Sequence, residues 1–130
     1  MEARLLIYGS RTFEDENFAF DVLDAVQRRL IERGYDTFTV ISGTCRGGDL
    51  IGEEWARLNG CDVVRFPADW KTHGKRAGFL RNTQMLVEGK PTHGIGFIVE
   101  GSKGAAMMSR ILTSAGVPNY TPRLRQMMEV

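Results

Sequence analysis

The sequence predicts a single α/β domain with a Rossmann-like, doubly wound sheet whose strands run mostly parallel. Two observations predict this fold: short apolar runs alternate with amphipathic segments of helical period, and glycines follow the ends of the apolar runs. Such alternation is typical of a parallel sheet covered by helices on both faces, with right-handed crossovers. With 130 residues, 42% of them hydrophobic, the chain has the size and apolar content for one domain over residues 1–130.

The first part of the chain predicts strand, helix and strand. Residues 4–8 form an apolar run without alternation, as expected of a strand that is buried on both faces. Apolar residues recur every four positions over residues 18–31 and predict an amphipathic helix, with Gly34 as its C-terminal stop. Residues 37–41 then predict the second strand.

The middle of the chain repeats this alternation. Residues 50–58 show helical spacing and predict the second helix, and residues 62–66 predict the third strand. Residues 67–74 have no apolar period and are predicted to form a loop. Residues 77–87 again have helical spacing and predict a helix that ends near Gly89.

The last part of the chain predicts one more buried strand and its helix. Residues 95–99 form the strand, residues 101–104 a glycine turn and residues 105–112 the helix. Residues 116–120 contain a proline and predict a short edge strand, because proline is tolerated at a sheet edge and not in the centre. Residues 121–130 have no assigned structure.

Ligands of doubly wound sheets bind beyond the carboxyl ends of the strands, and glycine loops follow two of these ends. Residues 101–104 outline a phosphate cradle, because glycines let the backbone approach an anion and the first N–H groups of the following helix point at it. A second strand, glycine loop and helix unit at residues 42–49 predicts a similar cradle on the same edge. The predicted ligand-binding residues are Gly9, Ser10, Arg11, Ser42, Gly43, Thr44, Arg46, Gly47, Gly48, Asp49, Asp69, Trp70, Arg81, Asn82, Gly101, Ser102, Lys103 and Gly104.

Neither loop carries a standard nucleotide-binding motif. Residues 43–48 have the length of a P-loop, but Asp49 stands where Walker A needs lysine and Leu50 where it needs serine or threonine. The Gly-x-Gly-x-x-Gly fingerprint of dinucleotide sites is absent. The alternative that the glycines only make tight turns stays open for either loop alone, and no cofactor is predicted to be required.

Cationic residues gather at the same predicted edge, although the net charge is only +1. They are Arg11, Arg46, Lys71, Lys75, Arg76, Arg81 and Lys103. Arg81 differs from the others because it lies inside a packed helix beside Asn82, and the fork of arginine suits phosphate or carboxylate. The balanced charge lacks the strongly basic character of duplex-binding proteins, so nucleic acid is not the predicted partner.

Other polar residues permit alternative interpretations. Asp49 opens a helix, so an N-cap role worth about 0.5–2 kcal/mol fits it at least as well as a ribose or base contact. Trp70 is suited to stacking on a base, and core packing fits it equally. Cys45 and Cys61 have no metal-ligand spacing, and no metal site is predicted.

The sequence also predicts a soluble, cytoplasmic protein. The N-terminus lacks the pattern of a signal peptide. No apolar run approaches the roughly 18 residues that span a bilayer. No membrane association is therefore expected.

Five motifs, in order along nearly the whole chain, resemble the YspA-type branch of the SLOG superfamily. They are Gly9-Ser-Arg11, Ser42-Gly-x-x-x-Gly-Gly-Asp49 followed by Glu54-Trp-Ala56, Phe66-Pro-Ala-Asp-Trp70, Ala77-Gly-x-x-Arg-Asn-x-x-Met85 and Gly101-x-x-Gly-x-x-x-Met108. This Rossmann-like group includes the LONELY GUY phosphoribohydrolases and DprA. The resemblance implies a sensor or sequestering protein, a homodimer, whose cleft binds ADP-ribose, an NAD-like species or a nucleoside monophosphate.

The same resemblance bears on catalysis. LONELY GUY enzymes carry a Pro-Gly-Gly-x-Gly-Thr-x-x-Glu loop and a catalytic arginine, which Arg81 matches, but Met108 takes the place of the glutamate. Binding is therefore the predicted activity. Glycosidic hydrolysis of a phosphoribohydrolase type, through Asp49, Asp69 or Glu100, is the alternative. Single-stranded DNA binding in the manner of DprA is less favoured, because aromatic residues are not interleaved with the basic ones.

Overall fold

The computed structural model describes residues 1–122; residues 123–130 of the unassigned tail lie outside the described residues. The strands are β1 (Glu2–Gly9), β2 (Thr37–Ser42), β3 (Asp62–Arg65), β4 (His93–Phe97) and β5 (Asn119–Tyr120). The helices are α1 (Glu16–Glu32), α2 (Gly48–Leu58), α3 (Trp70–His73), α4 (Ala77–Gly89) and α5 (Lys103–Ser114), and a 3₁₀ turn (Gly74–Arg76) precedes α4.

These strands form one sheet in the order β3-β2-β1-β4-β5, and every neighbouring pair is parallel. Leu5 of the central strand β1 pairs with Val40 of β2 on one side and with His93 of β4 on the other. The chain winds outwards from β1 in one direction and then from β4 in the other, so the order reverses between β1 and β4. The predicted α/β, Rossmann-like fold is confirmed, and the reversal marks where such sheets bind ligands.

Each face of the sheet is buried by its own layer of helices. Leu5 and Ile7 of β1 pack in a core with α1 and α2, including Trp55, whereas Leu6 and Tyr8 pack with α4 and α5. Burial on both faces explains why β1 is apolar without alternation. Within residues 1–122, no helix combines the length and apolar content needed to cross a membrane.

The predicted loop over residues 67–74 is wrong in part, because it contains a short helix. The Asp69 carboxylate accepts a hydrogen bond from the N–H of Thr72 at 3.1 Å and caps α3 at its N-terminus. The 3₁₀ turn then leads into α4. A helix of four residues is too short to show an apolar period, so the sequence pattern carried no signal for it.

Strand β4 lies two residues earlier than predicted. Its last pair with β1 joins Gly9 and Phe97, after which the N–H of Val99 donates to the hydroxyl of Ser10 at 2.8 Å. The strand therefore ends where β1 ends. The apolar pattern did not indicate the start of β4, because Gly94 and Gly96 interrupt it. A Cβ atom at Gly94 would lie 2.6 Å from Leu112, so this strand needs glycine to admit α5.

Candidate functional site

A cleft of about 670 Å³ opens at the point where the strand order reverses. This volume lies within the range of about 300–1,000 Å³ typical of small-molecule sites. The predicted residues that line it are Gly9, Ser10, Arg11, Asp49, Trp70, Arg81, Asn82, Gly101, Ser102, Lys103 and Gly104. Within residues 1–122, no group of three or more His, Cys, Asp or Glu side chains could hold a metal ion.

The N-terminus of α5 presents free backbone donors to this cleft. Gly101 has a φ of +85°, which favours glycine, and Ser102 caps the helix without a side-chain hydrogen bond. The N–H of Ala106 closes the first helical turn on the carbonyl of Ser102. The N–H groups of residues 103–105 have no acceptor among the described residues. Free N–H groups at the positive end of a helix dipole are suited to an oxyanion.

Arg81 is a buried cation in the wall of the same cleft. Its side chain is only 9% exposed; Nε donates to the Asn82 side chain at 2.8 Å, and Nη1 donates to the carbonyl of Gly43. No carboxylate of residues 1–122 forms an ion pair with it. A buried charge without a paired counter-ion favours an anionic ligand beside it.

Asp49 ties the end of β1 to the loop after β2. Its carboxylate is 5% exposed and accepts from the N–H of Gly9 at 3.1 Å and from the N–H of Cys45 at 3.2 Å. The N-cap alternative is wrong, because Gly47 occupies the cap position of α2. Burial raises the pKa of Asp49 to about 6. The hydrogen bond from the Cys45 N–H, the positive charge of Arg81 and the hydrogen bond from the Gly9 N–H each lower the pKa and only partly offset this effect. A carboxyl that titrates near neutral pH on a cleft wall is suited to proton transfer.

The raised pKa of Asp49 predicts a pH dependence of stability. The pKa is about 6 in the folded chain against a reference value of 3.8, so the folded state binds the extra proton between these limits. Protonated Asp49 therefore adds on the order of 3 kcal/mol to the free energy of unfolding. This contribution is complete below pH 3.8 and is lost as the pH rises through about 6. Urea unfolding of wild type and Asp49→Asn between pH 4 and 7 measures it. Parallel pH profiles for the two proteins would contradict this assignment.

The loop after β2 uses several of its backbone donors within the protein. The N–H groups of Thr44, Cys45 and Gly48 already donate within the protein. Ser42 is fully buried, and its hydroxyl donates to Glu53 at 2.6 Å. Three N–H groups of this loop are therefore already used within the protein. Those of Gly43, Arg46 and Gly47 have no acceptor among the described residues, so a second backbone cradle at this loop stays a prediction.

Several predicted site residues lie outside the cleft. They are Ser42, Gly43, Thr44, Arg46, Gly47, Gly48 and Asp69. Gly48 is needed for packing, since a Cβ atom there would lie 2.5 Å from the Cα atom of Gly9. Asp69 caps α3 instead. Gly43, Thr44 and Arg46 line a smaller neighbouring cavity.

An apolar wall, which the predicted site did not include, completes the cleft. Phe79, Met85 and Met107 line it. Met85 lies four positions after Arg81, and Met107 four positions after Lys103, so helical spacing from the polar residues would have indicated both methionines. Phe79 lies three positions before Asn82, which is also a helical spacing.

Trp70 stands at the mouth of the cleft. Its side chain is 48% exposed, which contradicts the core-packing alternative. The guanidinium carbon of Arg11 lies 5.6 Å from the centre of the indole ring, within the range of a cation–π contact. The exposed indole offers a flat apolar surface beside a positive charge.

Comparison with known proteins places this architecture in a family. The family model described as the YspA, cpYpsA-related SLOG family matches residues 3–73, from β1 to α3. The Gene 61 protein of Mycobacterium phage D29 is 36% identical over 120 residues, which cover 88% of this chain and 92% of the relative. No solved structure matches the chain. The resemblance drawn from the five motifs is confirmed, and the chain belongs to the YspA, cpYpsA-related SLOG family.

Proposed function

We propose that this protein binds a phosphorylated nucleotide derivative in the cleft between β1 and β4. Membership of a SLOG family suggests a nucleotide-related ligand. The observation that carries the proposal is the free first turn of α5 in the same cleft as the buried, unpaired Arg81. A phosphate group accepts hydrogen bonds from the α5 N–H groups, and Arg81 contacts phosphate or ribose.

The rest of the cleft suits a nucleoside. Trp70 and Phe79 are exposed aromatic residues on its wall, and the half-buried Met107 adds flexible apolar surface. Stacking on an aromatic ring favours a nucleobase, and thioethers adapt to irregular ligand shapes. ADP-ribose, an NAD-like species and a nucleoside monophosphate are the proposed ligand classes, for a sensor or sequestering protein.

A thermal-shift screen of ADP-ribose, NAD, cyclic nucleotides and nucleoside monophosphates tests the proposal. A ligand at about 100 times its dissociation constant adds roughly 2.7 kcal/mol to the free energy of unfolding. For a domain of this size the melting temperature is then expected to rise by on the order of 10 °C. A flat response to every compound would contradict ligand binding of this class.

Two glycine variants locate the ligand in the same assay. Gly101 and Gly60 have φ values of +85° and +67°, and a Cβ atom at either meets nothing within 4 Å. Gly101→Ala and Gly60→Ala therefore introduce similar backbone strain and similar losses of melting temperature. Only Gly101→Ala is expected to remove the ligand-induced rise, because only Gly101 lines the cleft. Equal ligand responses of the two variants would contradict a phosphate at α5.

Glycosidic hydrolysis is a second candidate, favoured by the pKa of about 6 of Asp49 in the cleft wall. Cleavage of an N-glycosidic bond needs a carboxylate near the ribose, to stabilise positive charge or to activate water. Met108 does not supply one, because its side chain ends in a neutral thioether. Glu100 also lines the cleft.

We expect binding without cleavage. The purified protein, incubated with nucleoside monophosphates or ADP-ribose, should release free base only at the background rate, as measured by chromatography. Release well above background that is lost in Asp49→Asn and kept in Glu100→Gln would establish hydrolysis with Asp49 as the proton-transfer group. Such a result would replace binding by catalysis as the function of the cleft.

A further inference from the structure

A second cavity, of about 410 Å³, adjoins the cleft on the side of the loop after β2. Arg11, Arg46 and Arg81 line it, and no Asp or Glu residue does. The cleft has a mixed lining, since Asp49 and Glu100 accompany its cationic residues. The neighbouring cavity, which we call the arginine cavity, is therefore the more positive of the two.

None of these three arginines forms an ion pair with a carboxylate of residues 1–122. Asp49 lies near Arg81, since a Cβ atom at Gly43 would lie 2.8 Å from Oδ2 of Asp49 and 2.9 Å from Nη1 of Arg81. The Asp49 oxygens accept from backbone N–H groups, and Asp49 lines the cleft and not this cavity. Like charges around one cavity repel each other unless an anion lies between them. Three arginines with no carboxylate among them favour an oxyanion.

The backbone of this cavity is strained at one position. Thr44 lines it with a φ of +66°, an uncommon conformation for a β-branched residue. The N–H of Thr44 donates to the hydroxyl of Ser42, which holds the strained turn in place. Strained residues of this kind concentrate at ligand sites.

We propose that the arginine cavity is a second anion subsite, which takes a second phosphate of the same ligand. The proposal rests on the proposed function of the cleft. The two cavities share Arg11, Trp70 and Arg81, so a nucleoside beside Trp70 is placed between them. The ligand is then a nucleotide with two separated phosphates, such as a nucleoside 3′,5′-bisphosphate or a linked dinucleotide, and a 5′-monophosphate fills only half of the site.

Titration of the ¹⁵N-labelled protein with inorganic phosphate tests the two subsites separately. We expect amide shifts in two groups, residues 101–105 and residues 43–47, which saturate independently. Arg46→Gln should remove the second group of shifts and keep the first. Arg28→Gln, an equal change of charge at an exposed position of α1, should keep both.

The outcomes separate this inference from the proposed function. Shifts confined to residues 101–105 would overturn the second subsite and leave the phosphate at α5 intact. Shifts confined to residues 43–47 would overturn the proposed function. Shifts reproduced by sodium chloride at equal ionic strength would overturn both.

A pair of nucleotides tests whether one ligand spans both subsites. Adenosine 3′,5′-bisphosphate is expected to bind wild type at least about 10-fold more tightly than adenosine 5′-monophosphate, since an added charge-assisted contact has this magnitude. Arg46→Gln should abolish the difference, and Arg28→Gln should preserve it. Equal affinities of wild type for the two nucleotides, measured by isothermal titration calorimetry, would overturn the proposal.

Discussion

Gly48→Ala is expected to lower the free energy of unfolding by about 3 kcal/mol. Its added Cβ atom would lie 2.5 Å from the Cα atom of Gly9, 2.8 Å from the Gly9 nitrogen and 2.9 Å from the carbonyl oxygen of Tyr8. All three atoms belong to the backbone of β1, the central strand, which at Tyr8 and Gly9 is paired with β4. The strand has no room to yield, so the added methyl group overpacks the junction of α2 and β1.

Urea unfolding followed by circular dichroism measures this effect, and Gly104→Ala is the matched control. Gly104 is also in the first turn of a helix, but a Cβ atom there meets nothing within 4 Å. The control should be unchanged or more stable by about 0.5–1 kcal/mol, because alanine restricts the unfolded chain. A Gly48→Ala protein as stable as wild type would contradict the close contact of α2 with β1.

Replacement of Arg81 is expected to have the largest effect on ligand binding. Arg81→Ala should abolish binding, and Arg81→Gln should weaken it by about 100-fold, because the ligand loses a charge-assisted hydrogen bond in a buried wall. Both variants should also lose about 1–3 kcal/mol of stability, since the Gly43 carbonyl and the Asn82 side chain lose their donor.

Isothermal titration calorimetry with the best compound of the thermal-shift screen measures this loss. Arg110→Gln is the control, because Arg110 is an exposed arginine of α5 that does not line the cleft. Circular dichroism verifies that the variants are folded at the temperature of the titration. Wild-type affinity in a folded Arg81→Gln protein would remove Arg81 from the proposed site.

The fold was predictable because its signals are local. The unalternated apolar run of β1 and the four-residue period over residues 18–31 each lie within one element. The glycine turn before α5 is also recognisable from the sequence, because Gly101 lies next to the helix that follows it in the chain. These patterns were enough to predict the sheet and the position of the cleft.

The roles of individual polar residues were less predictable, because their partners are distant in sequence. Asp49 follows a glycine loop like an N-cap, but its carboxylate binds the N–H of Gly9, 40 positions away. Arg81 was identified as unusual, yet its contact with Gly43 spans 38 positions. Such contacts depend on how α2 and α4 pack on the sheet. The periodicity of apolar residues within one helix does not predict this packing.

The most direct test of a phosphate site at α5 is a crystal structure of the protein with the most stabilising compound of the screen. We predict a phosphate oxygen within about 3 Å of the N–H groups of residues 103–105, with the Arg81 guanidinium beside the phosphate or the ribose. A ligand whose phosphate lies away from the N-terminus of α5, or outside the cleft between β1 and β4, would contradict the proposed function.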